Sequence, residues 1–186
     1  MNDEPKPRAM TEFELALVRH VVLGHPRKDV YLEIGSALGG SLLFFGRLMN
    51  PGALLLSVDS AGSPSLEQVA RDMTGNGKKV HLITGNSRTP GTVAQIRKTL
   101  DGREVDVLFI DGDHSYFGCA SDAHNYSALV GKGGLMIFHD CGAFSPVLPA
   151  AGNRNVGNVR PIFDALAYGK KTIRVQEFAG IGIIFI

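Results

Sequence analysis

Residues 105–118 read VDVLFIDGDHSYFG. The first six, Val105 to Ile110, are apolar except for Asp106. A short run that apolar reads as a strand buried on both faces of a sheet. The chain then presents Asp111, Asp113 and His114 within four positions. Two carboxylates and an imidazole directly after a buried strand are either a polar turn or a site. The rest of the chain decides between them.

The same pattern recurs in both directions from this stretch. Val30 to Ile34 reads as a buried strand, Gly35 to Ser41 as a glycine-rich turn, and a helix follows to about Met49. Ala53 to Val58 is a strand, Pro64 to Met73 a helix, Val80 to Ile83 a strand and Thr92 to Leu100 a helix. After the quoted strand, Tyr116, Cys119, Ala120, Ala123, Ser127 and Val130 fall at helical spacing, predicting a helix from about Tyr116 to Leu129. Gly131-Lys132-Gly133-Gly134 breaks it before a fifth strand, Leu135 to Phe138. Strand and helix in alternation give a parallel sheet with helices on both faces. Thr11 and Glu14 form a capping box for an additional first helix running to about Leu23.

The C-terminal end departs from the alternation. Thr172 to Phe178 and Ile181 to Ile186 are strand-like and joined by Ala179-Gly180, which predicts an antiparallel hairpin. Phe144 to Arg160, rich in proline, glycine and asparagine, reads as a long loop before a last helix, Pro161 to Tyr168. The expected architecture is one α/β domain over residues 1–186, doubly wound and Rossmann-like, with residues 1–10 as a flexible tail.

Composition narrows the function. The chain has 186 residues, 44% hydrophobic and 20% charged, with a net charge of +1. That charge gives no field to draw in nucleic acid or an anionic membrane. No apolar run reaches the ~18 residues of a membrane-spanning helix. The start, MNDEPKPRAM, lacks the apolar stretch of a signal peptide. Cys119 and Cys141 give neither a disulfide framework nor zinc spacing. A reducing, cytoplasmic location is the expectation.

In open parallel sheets, ligands sit beyond the carboxyl ends of the strands. The five expected strands end in Glu33, Asp59, Gly85-Asn86-Ser87, Asp111 and His139-Asp140. So many carboxylates on one rim call for a cation or hydrogen-bond donors. The turn after the first strand fails the dinucleotide fingerprint G-x-G-x-x-G, because Ala37 stands where the second glycine should be. This disfavours NAD and FAD. Asp59 either accepts from two ribose hydroxyls or caps the following turn. Asn86 either faces an adenine ring or is a turn residue.

The segments EIGSALG (33–39), SVDS (57–60), FIDGDHSY (109–116) and GGLMIFHD (133–140) together resemble the class I S-adenosylmethionine-dependent methyltransferases. The resemblance runs from about Val30 to the end. It is narrowest to the branch containing macrolide-sugar O-methyltransferases and cephalosporin-hydroxylase-like proteins. It implies a seven-stranded sheet with a reversed last strand. It implies that Glu33, Gly35, Ser36, Gly39, Asp59, Asn86 and Asp111 bind S-adenosylmethionine.

The resemblance further implies a divalent cation, such as Mg²⁺, on Asp111, His139 and Asp140. His139 stands where relatives usually carry an acid, and imidazole suits Zn, Fe, Ni or Mn better than Mg²⁺. His114 matches the general base of the sugar O-methyltransferases, and a neutral imidazole suits a base. The implied acceptor is a hydroxyl on a small molecule. Its pocket would come from the long loop, the first helix or a partner subunit, so a homo-oligomer is compatible. The rival readings are a metal-independent methyltransferase using His114 alone, an NAD-linked oxidoreductase, and a nucleoside-binding module without turnover.

Plainer roles are expected elsewhere. His114 could instead order its turn. Asp113 reads as a helix N-terminal acid and Cys141 as a small core or loop residue. His20 and His25 are expected at the surface and His124 on a solvated helix face. Tyr116 and Phe117 are expected to pack in the core. Arg154 and Arg160 are expected to be solvated.

Overall fold

The computed structural model describes residues 10–142, 159–176 and 179–186. The first helix, α1 (Glu12–Gly24), precedes five strand–helix units: β1 (Val30–Ile34), α2 (Gly40–Leu48), β2 (Leu54–Asp59), α3 (Pro64–Gly75), β3 (Lys79–Thr84), α4 (Pro90–Leu100), β4 (Val105–Ile110), α5 (Tyr116–Ser127), β5 (Val130–His139) and α6 (Val159–Ala167). Two further strands, β6 (Thr172–Val175) and β7 (Ile181–Phe185), close the chain. The seven strands lie in the order β3-β2-β1-β4-β5-β7-β6. The first five are parallel, and β7 runs antiparallel to both β5 and β6. The expected mostly parallel, doubly wound sheet with an antiparallel C-terminal hairpin is therefore the observed fold.

The central strands are apolar on both sides because both sides are covered. Leu32, Leu54, Leu56, Leu108 and Met136 pack with α4, α5 and α6 residues such as Ile96, Tyr126 and Phe163. The alternate residues Tyr31, Leu55, Val107, Phe109 and Ile137 pack with α1, α2 and α3 residues such as Val18, Phe45 and Val69. Edge strand β3 is more open, with Lys79, His81 and Thr84 exposed and Ile83 its one buried residue.

Several boundaries differ from the sequence expectation. Strand β5 begins at Val130, so Gly131-Lys132-Gly133-Gly134 lies within it instead of preceding it. The register against β4 shifts between Val105 and Val107: Val105 faces Val130, and Val107 faces Leu135. The glycines allow that bulge; Gly133 has φ +80° and a Cβ on Gly134 would lie 2.7 Å from Val130. Helix α6 starts at Val159, two residues inside the expected loop. The rest of that loop, residues 144–158 with Arg154, lies outside the described residues, as do the expected tail over residues 1–9 and positions 177 and 178 of the expected hairpin strand.

His25 corrects another expectation: it is buried, with ring nitrogens 2.8 Å from the Arg27 carbonyl and 2.7 Å from the Gly133 carbonyl. It ties the chain before β1 to the bulge of β5. No helix among the described residues is long and apolar enough to cross a membrane.

Candidate active site

Parallel pairing brings the carboxyl ends of β1 to β5 to one rim. The turn after β1 sits at its centre. Gly35 has φ +91°, and a Cβ there would lie 2.1 Å from the Asp111 carbonyl oxygen. Glycine is required because the turns after β1 and β4 touch backbone to backbone. Ala37, in the place of the fingerprint's second glycine, is left-handed at φ 45°, and Gly39 caps α2 at φ 89°.

Asp59 at the end of β2 fixes this turn. Its Oδ2 accepts from the Ser36 and Ala37 amides, both at 2.8 Å, and its Oδ1 from the Ala61 amide at 3.0 Å. Burial raises its pKa, and these amides outweigh that and lower it overall. Asp59 thus caps the next turn and braces the glycine turn at once. Glu33 lies beneath, fully buried; its Oε2 accepts from the Tyr31 hydroxyl at 2.8 Å and its Oε1 from the Ser57 hydroxyl at 2.7 Å. Burial raises its pKa against those hydroxyl donors. Ser36 Oγ lies 2.5 Å from Ser57 Oγ, linking Glu33 to the turn above it.

Asn86 is exposed, and its Oδ1 accepts from the Arg88 amide at 3.0 Å, as a turn residue does. Its neighbour Ser87 is anchored by a group that the sequence reading passed over. Ser87 Oγ donates to Asp122 Oδ1 at 2.6 Å, and the Tyr126 hydroxyl donates to the Ser87 carbonyl. Asp122 is fully buried on α5, and its Oδ2 has no hydrogen-bond donor among the described residues. Burial pushes Asp122 up to about 6, against the Ser87 hydrogen bond.

A carboxyl raised in the fold costs stability once it must ionise. That cost appears as pH rises from the ordinary carboxylate range through about 6. Asp122→Asn removes the ionisation and keeps an oxygen for Ser87. Denaturant unfolding should show the variant gaining on the wild type between pH 4 and 7 by on the order of 2 kcal/mol. Equal pH profiles would show that the carboxylate is better compensated than its contacts indicate.

Beyond β4 and β5, four side chains close a ring. Asp111 Oδ1 lies 3.2 Å from His114 Nε2 and 3.1 Å from His139 Nδ1. Asp140 Oδ2 lies 2.7 Å from His114 Nδ1 and 3.3 Å from His139 Nδ1. Asp140 is left-handed at φ 59°. Exposure falls from 37% at the His114 side chain to 6% at Asp140 and 2% at His139, so the ring opens to solvent on the His114 side. Both His114 nitrogens face carboxylate oxygens, so both need protons. Asp111 and Asp140 accordingly raise His114 to about 10. Burial works against a charged His139, and the same two carboxylates outweigh it and raise it to about 11. Burial would raise Asp111 and Asp140; the imidazoles hold both below the ordinary range.

Asp111, His139 and Asp140 each offer a ligand atom within 4.8 Å of the others. Asp140 Oδ2 is buried and its close imidazole contacts lack hydrogen-bond alignment. Two carboxylate oxygens and an imidazole nitrogen converging in this way fit a divalent cation.

The remaining expectations divide. Asp113 Oδ1 accepts from the Ser115 amide at 2.9 Å at the start of α5, and Arg88 Nη1 lies 3.1 Å from its Oδ2. Cys141 is buried, and His20 and His124 are exposed. Arg160 is partly exposed, with Nε 3.4 Å from Asp164 Oδ2. Tyr116 and Phe117 are not in the core: they are 45% and 81% exposed at the first turn of α5, ring against ring.

Residues 32–141 match the family model described as Methyltransferase domain. Catechol O-methyltransferase of Mus musculus is 28% identical over 95 residues, which span 50% of this chain and 35% of that protein. Among solved structures, the O-methyltransferase from Bacillus cereus in complex with SAH superposes with a TM-score of 0.71 at 14% identity, over 98% of this chain and 84% of that one. The MycE methyltransferase from the mycinamycin biosynthetic pathway, in complex with Mg, SAH and mycinamycin VI, superposes with a TM-score of 0.61 at 14% identity, over 93% of this chain and 49% of that one. The sheet order, the braced glycine turn and the family match agree: the chain belongs to the methyltransferase domain family.

Proposed function

We propose that the chain is an S-adenosylmethionine-dependent O-methyltransferase acting on a hydroxyl of a small molecule. The observation that carries this reading is the ring of Asp111, His114, His139 and Asp140 beside the braced glycine turn. Gly35, Ser36, Gly39, Asp59, Asn86 and Asp111 would hold the cofactor, with Glu33 supporting the glycine turn from below. That the Bacillus cereus O-methyltransferase is in complex with SAH, and MycE with Mg and SAH, supports a cofactor of this kind and a cation on this fold.

Asp111, His139 and Asp140 would hold that cation. When bound, it polarises the acceptor hydroxyl as a Lewis acid. The hydroxyl must lose its proton as it attacks the methyl group, and His114 stands at the open side of the ring to receive it. Nε2, 3.2 Å from Asp111 Oδ1, is assigned as the accepting atom, with Nδ1 facing buried Asp140 at 2.7 Å. With Asp111 and Asp140 both against it, His114 keeps its proton at neutral pH. Once those two carboxylates hold a divalent cation, their hold on the proton would weaken and His114 would be free to act as the base.

The test is transfer of a labelled methyl group from S-adenosylmethionine to a panel of catechols, phenols and sugar hydroxyls, with Mg²⁺ or Mn²⁺ and with a chelator. Cation-dependent transfer to a hydroxyl is expected; transfer that survives the chelator would instead support the metal-independent reading. Asp59→Ala removes the acceptor for three turn amides and should weaken SAH binding by about 10- to 100-fold in calorimetry. Unchanged affinity would remove Asp59 from the cofactor site.

A further inference from the structure

Glu14 lies in α1, far in sequence from the rim, yet it is fully buried. Its Oε2 accepts from the Thr11 amide at 2.7 Å, completing the capping box. A capping box needs no burial of its glutamate. The second oxygen explains the burial: Oε1 accepts from the Gly180 amide at 2.9 Å, across 166 positions of sequence. Gly180 stands directly before β7 and is left-handed at φ 79°. Its carbonyl accepts from the Cys141 amide at 3.1 Å, and the Ala179 carbonyl accepts from the Gly142 amide at 2.7 Å.

These bonds enclose Asp140. On one side His139 pairs with Ile181 of β7, and on the other Cys141 is bonded to Gly180. Asp140 itself is in a left-handed conformation, which costs a residue with a side chain some energy, though less for Asp than for most. The backbone on either side of it is bonded to the segment that Glu14 holds. Contact there is close: a Cβ on Gly180 would lie 2.3 Å from the Gly142 nitrogen. We propose that Glu14 is a positioning residue, through which α1 and the Gly180 turn hold Asp140 in its cation-binding conformation. This inference rests on the cation site of the proposed function.

The full chain is titrated with Mn²⁺ alone, with free Mn²⁺ followed by electron paramagnetic resonance, and with SAH separately by calorimetry. Glu14→Gln leaves one of the two backbone amides facing a carboxamide NH2, also a donor, instead of an oxygen. It should weaken Mn²⁺ binding by about 10-fold, the scale of groups that orient metal ligands, with SAH affinity unchanged. Thr11→Val removes only the cap from the Glu14 amide and should lower Tm without altering Mn²⁺ affinity. If Glu14→Gln does not fold, Gly180→Ala presses on the same loop with Glu14 intact and should show the same loss. Wild-type Mn²⁺ affinity in a folded Glu14→Gln or Gly180→Ala protein would overturn this role alone. A wild-type protein that binds SAH but no Mn²⁺ would overturn the cation site and this role together, leaving the cofactor reading standing.

Discussion

Replacing His114 with glutamine is expected to lower kcat by about 10²–10⁴-fold, the usual contribution of a positioned general base. SAH affinity should be unchanged, because no cofactor contact is assigned to the imidazole. The contrary role is structural: His114 bridges Asp111 and Asp140 and could do no more than hold them together. The two roles separate in the kinetics. A lost base lowers kcat and kcat/KM together at full cation saturation. A lost bridge weakens cation binding, and activity returns as the cation is raised. Full activity in His114→Gln at saturating cation would end the base assignment.

The second large effect is expected at Gly35. Gly35→Ala puts a Cβ 2.1 Å from the Asp111 carbonyl oxygen at φ +91°. Neither partner can yield easily, since the obstacle is backbone and Asp111 is held by the imidazoles. Destabilisation by at least about 3 kcal/mol in denaturant unfolding is expected. Gly52→Ala is the control: it shares the positive φ, at +78°, but has nothing within 4 Å of the added carbon. Only the conformational strain remains there, about 1–2 kcal/mol. Equal losses at the two positions would mean that the turns after β1 and β4 can separate without cost.

The alternation from Val30 to Phe138 was legible because its central strands are short and mostly apolar, which is what burial on both faces produces. The five polar strand ends were legible for the same reason: parallel strands carry their carboxyl ends to one edge. The segment 131–134 misled because three glycines in four residues read as a break. The register shift that absorbs them depends on β4, which local sequence does not show. Tyr116 and Phe117 misled because helical spacing says where a residue lies around a helix, not whether that turn has passed the edge of the sheet.

The longer-range contacts were hidden in a different way. His25 reaches Gly133 across 108 positions and Glu14 reaches Gly180 across 166, and no local pattern encodes either pairing. Asp122 could have been found. It stands three residues after Cys119 and four before Tyr126, on the buried stripe of α5, where a carboxylate is out of place. Asp111, His139 and Asp140 were grouped in the sequence as a cation site, with His114 as a base. The tightness of the ring, with each imidazole between two carboxylates, came only from the structure.

Calorimetric titration of the wild-type protein with SAH tests the central claim most directly. Saturable one-site binding is expected, because the cofactor part of the reading depends on the braced turn from Gly35 to Gly39. An absence of heat up to millimolar SAH, with or without Mg²⁺ or Mn²⁺, would contradict the cofactor assignment. The rim of carboxylates would then have to serve a different ligand.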